Sequence, residues 1–271
     1  MIERVREQFR ATVWNYYELQ GRHELPWRVK VTPYSVLVSE IMLQQTQVSR
    51  VLGRWERWLE RWPGFSELAA ASVAEVVEEW QGLGYNRRAL ALREAVQVVV
   101  EEFDGKLPRY LDDLGRLPGV GPNTAGSVAA FAFNEPVVFI ETNIRRVFLH
   151  HFADLSGREA AGLVTDAELR PLVESTLAAE RPREWYWALM DYGADLAKRG
   201  PNPNRRSKHY TLQPRFEGSV RQLRGEVLRR LVTGAKSRAE LPVDERLDAV
   251  LASLESEGFV VKVGEGYQLA G

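Results

Sequence analysis

The chain has no cysteine among its 271 residues, and this absence excludes several classes of site at once. Without thiols there can be no disulfide, no zinc site built on thiolates and no iron–sulfur cluster held by cysteine. The sequence also lacks an apolar run of about 18 residues that could cross a membrane. Its N-terminal segment carries charges throughout its apolar pattern, unlike a signal peptide. We therefore expect a cytoplasmic protein without a membrane partner.

A strong excess of charge of either sign is also missing, because the formal net charge is −1. The whole-chain field therefore gives no argument for or against a polyanionic partner, and any basic surface must be local. The most basic stretch runs from Lys198 to Arg215, and the wider range from Arg181 to Arg215 holds eight Lys and Arg against three acidic residues. This stretch contains Arg205 and Arg206 and could bind phosphates, or it could be an ordinary solvated loop.

Apolar residues recur at helical spacing along most of the chain, which predicts an all-α body. Only Val137–Ile140 suggests an extended segment. Glycine and proline signals separate the predicted helices from one another. The predicted helices include residues 5–17, 36–55, 69–80, 89–103, 110–117 and 125–133.

A smaller unit begins after Gly218 and has the order helix, turn, helix, hairpin, with Gly264 and Gly266 in the hairpin turn. This order within about 50 residues is typical of a winged helix. The helix expected to read a DNA groove carries mainly acidic residues, and carboxylates repel phosphates. We therefore favour domain packing or a protein partner for this unit over groove reading.

The segment Leu117–Gly126, LPGVGPNTAG, has the features of a phosphate site built from backbone. Gly119 and Gly121 carry no Cβ, so a phosphate can approach their amides closely. The helix predicted to begin near Thr124 adds its positive end. Taken alone, the same residues fit a helix C-cap and tight turn equally well.

Two carboxylates stand next to apolar residues. Glu40 lies in SEIMLQQTQV on an apolar helix face, which favours a partly buried acid with a raised pKa. Glu141 follows an apolar run and precedes a predicted helix. Each also has a plain interpretation, a solvent-facing side chain for Glu40 and an N-terminal helix acid for Glu141.

Taken together, six motifs resemble the helix-hairpin-helix DNA glycosylase superfamily and, within it, adenine glycosylases of the MutY type. The resemblance covers about residues 8–197, and the motifs occur in the family's order and approximate spacing. They are LPWR at 25–28, PY at 33–34, SEIMLQQTQV at 39–48, GLGY at 82–85, LPGVGPNTAG at 117–126 and NIRRV at 143–147.

The resemblance implies a monomeric enzyme that binds double-stranded DNA, extrudes a nucleotide and hydrolyses its N-glycosidic bond. Glu40 matches the general acid, Glu141 the carboxylate that stabilises the sugar cation, and Asn143 the asparagine beside it. Gln45 matches the wedge that fills the gap in the base stack, and Tyr85 a minor-groove contact. The other implied DNA-binding residues are Arg28, Leu117, Gly119, Val120, Gly121, Asn123, Thr124, Arg205 and Arg206, and the implied base pocket contains Trp27 and Trp187.

Three side chains differ from the family pattern. Lyase-active members carry a lysine where this chain has Asn123, which predicts a monofunctional enzyme that leaves an abasic site. Relatives usually have aspartate at Glu141, whose extra methylene moves the carboxylate by roughly an ångström. Trp187 replaces a glutamine that would hydrogen-bond adenine, and an indole can stack on a base but cannot make that pair of bonds.

The family's cofactor and its C-terminal domain are also not expected. Its four cluster cysteines fall on Ala197, Asn204, Ser207 and Gln213, so no iron–sulfur cluster is expected. A monovalent cation on the hairpin carbonyls is the one ion that the resemblance implies. The 54 residues after Glu217 are too few for the Nudix-like domain that reads 8-oxoguanine.

We therefore predict an all-α, two-lobed helix-hairpin-helix glycosylase fold with a small C-terminal winged-helix-like domain. One lobe combines residues 1–27 with 136–217, the other comprises 28–135, and 218–271 form the small domain. Adenine excision is the leading activity. Excision of hypoxanthine, uracil or mismatched thymine, and a non-catalytic DNA-damage-binding role, are the alternatives.

Overall fold

A computed structural model describes residues 2–152 and 163–271 of the protein. Most of the described residues are helical, as predicted, and the strands are confined to one small sheet. The helices are α1 Ile2–Gln20, α2 Pro26–Val29, α3 Pro33–Leu43, α4 Val48–Val51, α5 Arg54–Arg61, α6 Phe65–Ala69, α7 Val73–Glu79, α8 Arg87–Glu102, α9 Leu111–Leu114, α10 Pro122–Phe133, α11 Thr142–Phe152, α12 Asp166–Thr176, α13 Pro182–Leu196, α14 Val220–Leu231 and α15 Leu247–Ser256.

Local capping explains where the helix bounds differ from the predicted ones. The span predicted as one helix over 69–80 is divided, because Ser72 caps a new helix and accepts a hydrogen bond from the Glu75 amide. Helix α10 begins earlier than predicted, at Pro122, since proline fits the first turn of a helix. Residues 137–140 form no strand and lie in the segment that connects α10 to α11.

The chain divides into two compact units. Unit 1 comprises Met1–Val36, Arg109–Asp112 and Gly121–Leu212, and unit 2 comprises Leu37–Pro108, Asp113–Val120 and Gln213–Gly271. This grouping into two units does not test the predicted division into three domains, which stays a prediction. Among the described residues, no helix is both long and apolar enough to cross a bilayer.

Unit 1 is built around the packing of α13 against α11 and α1. Its core is aromatic, with the Phe9 ring 5.1 Å from that of Phe148 and 6.0 Å edge-on to that of Trp185. Trp185 and Tyr186 are fully buried. This core fixes α11 and the residues that immediately precede it.

Unit 2 contains the C-terminal residues together with α5 to α8. Strands β1 Lys236–Ser237, β2 Val260–Val263 and β3 Gly266–Leu269 form an antiparallel sheet in the order β1-β3-β2. This sheet and helices α14 and α15 complete the winged-helix order that the sequence predicts. Val73, Val77 and Leu90 of α7 and α8 share one core with the C-terminal helices, so the small domain packs onto the rest of unit 2.

Candidate functional site

Glu141 lies directly before α11 and is held by three N–H donors. The backbone amides of Asn143 and Ile144 donate to its Oε1 at 2.7 and 2.9 Å, and the Asn143 side-chain amide donates to its Oε2 at 3.3 Å. The carboxylate therefore accepts the first amides of the helix, as a helix N-terminal acid does. This geometry fixes the orientation of the carboxylate relative to Asn143.

Burial is the largest influence on the ionisation of Glu141. It raises the pKa of the carboxyl above its ordinary value, although the amides of Ile144 and Asn143 and the nearby Arg145 and Arg146 oppose the shift. A raised pKa means that the ionised form is poorly solvated where it stands. Such a carboxylate gains free energy when a positive charge forms beside it.

Asn143 is held in turn by a buried arginine. The Arg146 guanidinium donates to the Asn143 Oδ1 at 2.8 Å, to the Gly193 carbonyl at 2.7 Å and to the Asn202 Oδ1 at 3.0 Å. At Gly193, a Cβ would stand 2.4 Å from the Asn143 carbonyl oxygen, so only glycine allows α13 this close to α11. Helices α11 and α13 and the segment around Asn202 thus converge on the Arg146 guanidinium, which holds Asn143 beside Glu141.

The residues at the family's cluster positions form polar contacts instead of a metal site. Asn204 is buried and donates from its Nδ2 to the Thr142 carbonyl at 3.0 Å. Ser207 is buried and pairs with Val164 in an isolated bridge. Ala197, Asn204 and Ser207 offer no thiolate, so these residues do not fit an iron–sulfur cluster. Among the described residues no group of three or more His, Cys, Asp or Glu could hold a metal ion.

The predicted basic loop contains a short 3₁₀ helix, Pro203–Arg206, which Asn202 caps by accepting the Asn204 amide. Arg205 is exposed and Arg206 is half-buried. The segment is thus ordered by the Asn202 and Asn204 side chains, while Arg205 keeps its charge at the surface.

Arg28 lies next to the predicted base pocket and is not on the surface. Its guanidinium donates to both Asp191 oxygens at 2.7 and 2.8 Å and is 8% exposed. Its Cζ lies 5.3 Å from the Trp187 ring centroid, and the Trp187 ring stacks on that of Phe131 at 6.0 Å. The structure thus places Arg28, one of the predicted DNA-binding residues, in a buried ion pair with Asp191, and its contact with DNA stays a prediction.

The neighbouring Trp27 is buried, and Trp187 is half-buried. Trp187 packs against the core of unit 1 but keeps part of its indole accessible. Of the two predicted base-pocket residues, Trp187 is thus the one with a surface that could stack on a base.

Glu40 lies on α3 and belongs to unit 2. Its side chain is half-buried, whereas the neighbouring Ser39, Ile41 and Met42 are buried. Helix α3 ends at Leu43, and the chain turns at Gln45 directly afterwards. The helix that carries Glu40 thus leads straight into the predicted wedge.

The predicted wedge and minor-groove residues share a rare backbone conformation. Gln45 has a φ of 53° and Tyr85 a φ of 48°, and among the described residues only Asp104 and Asn134 are other non-glycine residues with positive φ. Left-handed backbone costs a residue with a Cβ about 1–2 kcal/mol, and such strain is often found at functional sites. Here it makes both side chains project from tight turns.

Arg88 holds these two turns together from the first turn of α8. Its guanidinium donates to the carbonyls of Ile41, Met42 and Gln44 at 2.9, 2.9 and 2.5 Å. It also donates to the Thr46 hydroxyl at 2.9 Å and to the carbonyl of Gly84 at 3.0 Å. Burial without a carboxylate partner lowers the pKa of Arg88 to about 10, so it remains a cation at neutral pH.

The first half of the hairpin belongs to unit 2. Leu117 and Val120 are buried, whereas Gly119 is exposed with a φ of 76°. A Cβ on Gly119 would stand 2.9 Å from the Ala91 Cβ. The Gln44 Nε2 donates to the Gly119 carbonyl at 3.1 Å, which ties the hairpin to the turn that carries Gln45.

The second half of the hairpin begins α10 in unit 1. Gly121 is the N-cap and supplies no side-chain acceptor for the first amides of the helix. Asn123 is exposed, and its Oδ1 accepts the Ile140 amide at 3.3 Å, while Thr124 is half-buried. An exposed helix start of this kind is suited to an anion.

Sequence reasoning missed the residues that hold the predicted ones in place, namely Arg88, Arg146, Asp191 and Gln44. One local signal was available for Arg88. A cation in the first turn of a helix is unfavourable, so an arginine at that position in α8 indicates that another group holds it. The partners of Arg146 and Asp191 are distant in sequence, and no local pattern identifies them.

Comparison with known proteins gives a consistent picture. The sequence model of the HhH-GPD superfamily of base excision DNA repair proteins matches residues 38–162 of this chain. The adenine DNA glycosylase of Mycolicibacterium smegmatis is 37% identical over 283 residues, which cover 93% of this chain and 92% of that protein. That of Mycobacterium tuberculosis H37Rv is 34% identical over 278 residues, covering 91% of this chain and 88% of that protein.

Longer relatives and solved structures extend the comparison. The human adenine DNA glycosylase is 36% identical over 197 residues, but this chain spans only 36% of its length. The structure of a thermostable thymine-DNA glycosylase matches with a TM-score of 0.63 and 25% identity, covering 71% of this chain and 88% of that one. The chain therefore belongs to the adenine DNA glycosylase family of the HhH-GPD superfamily.

Proposed function

We propose that the protein is a DNA glycosylase of base excision repair that removes mispaired adenine from double-stranded DNA. The observation that carries this proposal is the Glu141 carboxylate, which three N–H donors orient beside Asn143. The adenine DNA glycosylases to which the chain is similar support adenine as the base.

In the proposed reaction, Glu40 gives its proton to a ring nitrogen of the extruded adenine. The bond between the base and C1′ then breaks, its electron pair leaves with the adenine, and a cation forms on the sugar. Glu141 stabilises this cation until water adds to C1′ and loses a proton, which leaves an abasic site. The two carboxyl groups therefore need opposite protonation states.

The surroundings of Glu141 fit the second role. Because burial already destabilises its charge, the carboxylate gains more from a cation at C1′ than a solvated one would. Asn143 keeps the carboxylate oriented, and Arg146 keeps Asn143 oriented. This is pre-organisation of the site for the transition state.

We assign DNA contacts to the exposed or strained residues of the predicted set. Gln45 is the wedge and Tyr85 the groove contact, since both project from turns in left-handed conformation. The hairpin Gly119–Thr124 binds a phosphate 3′ of the target nucleotide, with a monovalent cation on its carbonyls. Arg205 adds an exposed positive charge.

For the base itself, we propose stacking on Trp187, the partly exposed indole of the predicted pocket. The Arg28 Cζ lies 5.3 Å from the centroid of that ring and helps to hold the indole in place. Trp27 is buried and therefore supports the pocket and does not contact the base.

We further propose that the enzyme makes no strand break and works without an iron–sulfur cluster. Asn123 offers an amide where a Schiff base needs an amine. Borohydride added during turnover on an A·G duplex should trap no enzyme–DNA adduct, with a lysine-bearing bifunctional glycosylase as positive control. A covalent adduct with the parent protein would overturn this assignment.

The base assignment is tested with duplexes that each carry a single adenine, hypoxanthine, uracil or mismatched thymine lesion. After incubation, alkali cleaves the strand wherever a base has been removed. We expect cleavage at adenine opposite guanine or 8-oxoguanine. Cleavage only at another base would replace adenine as the substrate, and no cleavage of any duplex would leave a DNA-damage-binding role.

A further inference from the structure

Unit 2 contains a cavity that neither Glu40 nor Glu141 lines and that has no assigned role. Its volume is about 1220 Å³, more than the 300–1,000 Å³ typical of small-molecule sites. It is lined by the turns of Gln45 and Tyr85, the segment 213–219 and the exposed side of α14. An extended occupant fits this size better than a metabolite.

Arginine dominates the charge of this cavity. Seven arginines line it against two carboxylates, Glu226 and Asp244. Five of these guanidinium groups are already paired: Arg87 and Arg224 with Glu257, Arg229 with Glu226, Arg246 with Asp244, and Arg88 with main-chain carbonyls.

The other two arginines, Arg50 and Arg221, have no carboxylate within salt-bridge distance in the described part of the chain. Arg50 is exposed on α4. Arg221 donates to the Tyr85 hydroxyl at 2.6 Å and to the Pro214 carbonyl at 2.8 Å. The cavity therefore has two positive charges that no anion among the described residues neutralises, and an anionic occupant is complementary to it.

The contacts of Gln45 and Tyr85 in the cavity wall indicate which anion it binds. The side chains of Gln45 and Gln213 are joined by a 2.7 Å hydrogen bond from the Gln213 Nε2 to the Gln45 Oε1. Arg221 also lies 5.5 Å from the Tyr85 ring centroid. The C-terminal segment is thus bonded to the proposed wedge, Gln45, and to the proposed groove contact, Tyr85.

We propose that this cavity binds the sugar-phosphate backbone of the substrate duplex, with Arg50 and Arg221 as its phosphate ligands. This rests on the proposed function and extends it to the C-terminal domain. The domain contributes through Arg221 at the start of α14 and not through the acidic helix α15. The DNA-binding surface of unit 2 would then continue from the wedge onto the C-terminal helix α14.

The test measures binding to a labelled duplex with a tetrahydrofuran abasic analogue, which cannot be cleaved, between about 50 and 200 mM salt. The logarithm of the association constant falls linearly with the logarithm of the salt concentration. Each lost phosphate contact makes this slope less steep by about 0.9 and weakens binding about fivefold at 0.15 M salt. We expect this for Arg50→Gln and for Arg221→Gln, and roughly twice the slope change for the double variant.

Arg4→Gln is the matched control, since it removes one exposed arginine from α1 in unit 1. Within residues 2–152 and 163–271 the Arg50 side chain has no hydrogen bond to lose, so its variant remains informative even if Arg221→Gln unfolds. A double variant with the same salt slope as Arg4→Gln would overturn the proposal.

A second measurement replaces single phosphates of either strand with neutral methylphosphonate. The parent should lose affinity at one or two positions where the double variant loses none, and equal losses in both proteins contradict the proposal. Adenine release at saturating enzyme is followed in parallel. If the parent releases no adenine, the proposed function fails; if it does and the salt slopes agree, only the cavity assignment fails.

Discussion

The two units hold their functional residues by different means. Unit 1 uses buried charges, because Glu141, Arg146, Arg28 and Asp191 all lie among partners of opposite charge or strong polarity. Unit 2 uses backbone, because Arg88 donates to main-chain carbonyls and the turns at Gln45, Tyr85 and Gly119 are left-handed. We infer that the site residues of unit 1 are disturbed most by the loss of a charge or a change of pH. Those of unit 2 are disturbed most by a change in backbone geometry.

The strongest test of this difference is to remove one buried charge. Asp191→Asn leaves the Arg28 guanidinium buried without its carboxylate, and breaking a buried pair in this way costs about 3–5 kcal/mol. We expect a loss of unfolding free energy of this size in urea titrations at pH 7. Asp248→Asn is the control, because Asp248 is exposed and its pair with Arg238 should contribute little. Equal losses in the two variants would contradict the role of buried charge.

The next test separates the catalytic and structural effects of Glu141. Glu141→Gln removes the negative charge at the sugar cation and should slow adenine release about 10²–10³-fold. Single-turnover rates at saturating enzyme measure this effect.

The same variant should show the opposite effect on stability. The folded-state pKa of Glu141 is raised, so the folded protein holds this proton more tightly than the unfolded chain does. Stability of the parent therefore falls as pH rises from the ordinary glutamate pKa through the raised one. Glu141→Gln lacks this loss and should gain in melting temperature relative to the parent as the pH rises above the ordinary glutamate pKa. A relative decline over that range would contradict the raised pKa.

In unit 2, Arg88→Met tests whether backbone positioning matters. The variant leaves carbonyls at the end of α3 and in both turns without a hydrogen-bond donor. Each buried carbonyl left in this way lowers the free energy of unfolding by about 1–3 kcal/mol. We expect weaker DNA binding in addition to this loss of stability.

The control is Arg93→Met, on the same helix, where the guanidinium donates to the Ala71 carbonyl at 2.6 Å and does not line the cavity. It should lose stability but keep the affinity for the abasic duplex. If both variants bind the duplex equally, Arg88 does not position the turns for DNA.

The smallest effect concerns the two hairpin glycines. Gly119→Ala forces a Cβ into left-handed backbone and towards Ala91, which should cost about 1–2 kcal/mol. Gly121→Ala has an ordinary φ and no atom within 4 Å of its Cβ, so it should fold with the parent's stability. Comparable melting temperatures for the two variants would show that the hairpin relaxes.

Much of this arrangement could be predicted from local sequence. Helical periodicity gives the all-α body, and the motifs around Glu40, Glu141 and Gly119 indicate the site, because residues close in sequence share one turn or helix end. The residues that hold the site residues in place were not predictable, since partners such as Arg28 and Asp191 are 163 residues apart. The burial of Arg28 was not predictable for the same reason, because it depends on a carboxylate that is distant in sequence.

Adenine release itself tests the central claim most directly. A duplex with one A·G mispair is incubated with saturating parent protein or Glu40→Gln, and free adenine is measured over a single turnover. Since general acid catalysis contributes about 10²–10⁴-fold, the parent should release adenine and the variant should be slower by that factor. Release at equal rates, or no release by the parent, would contradict the account.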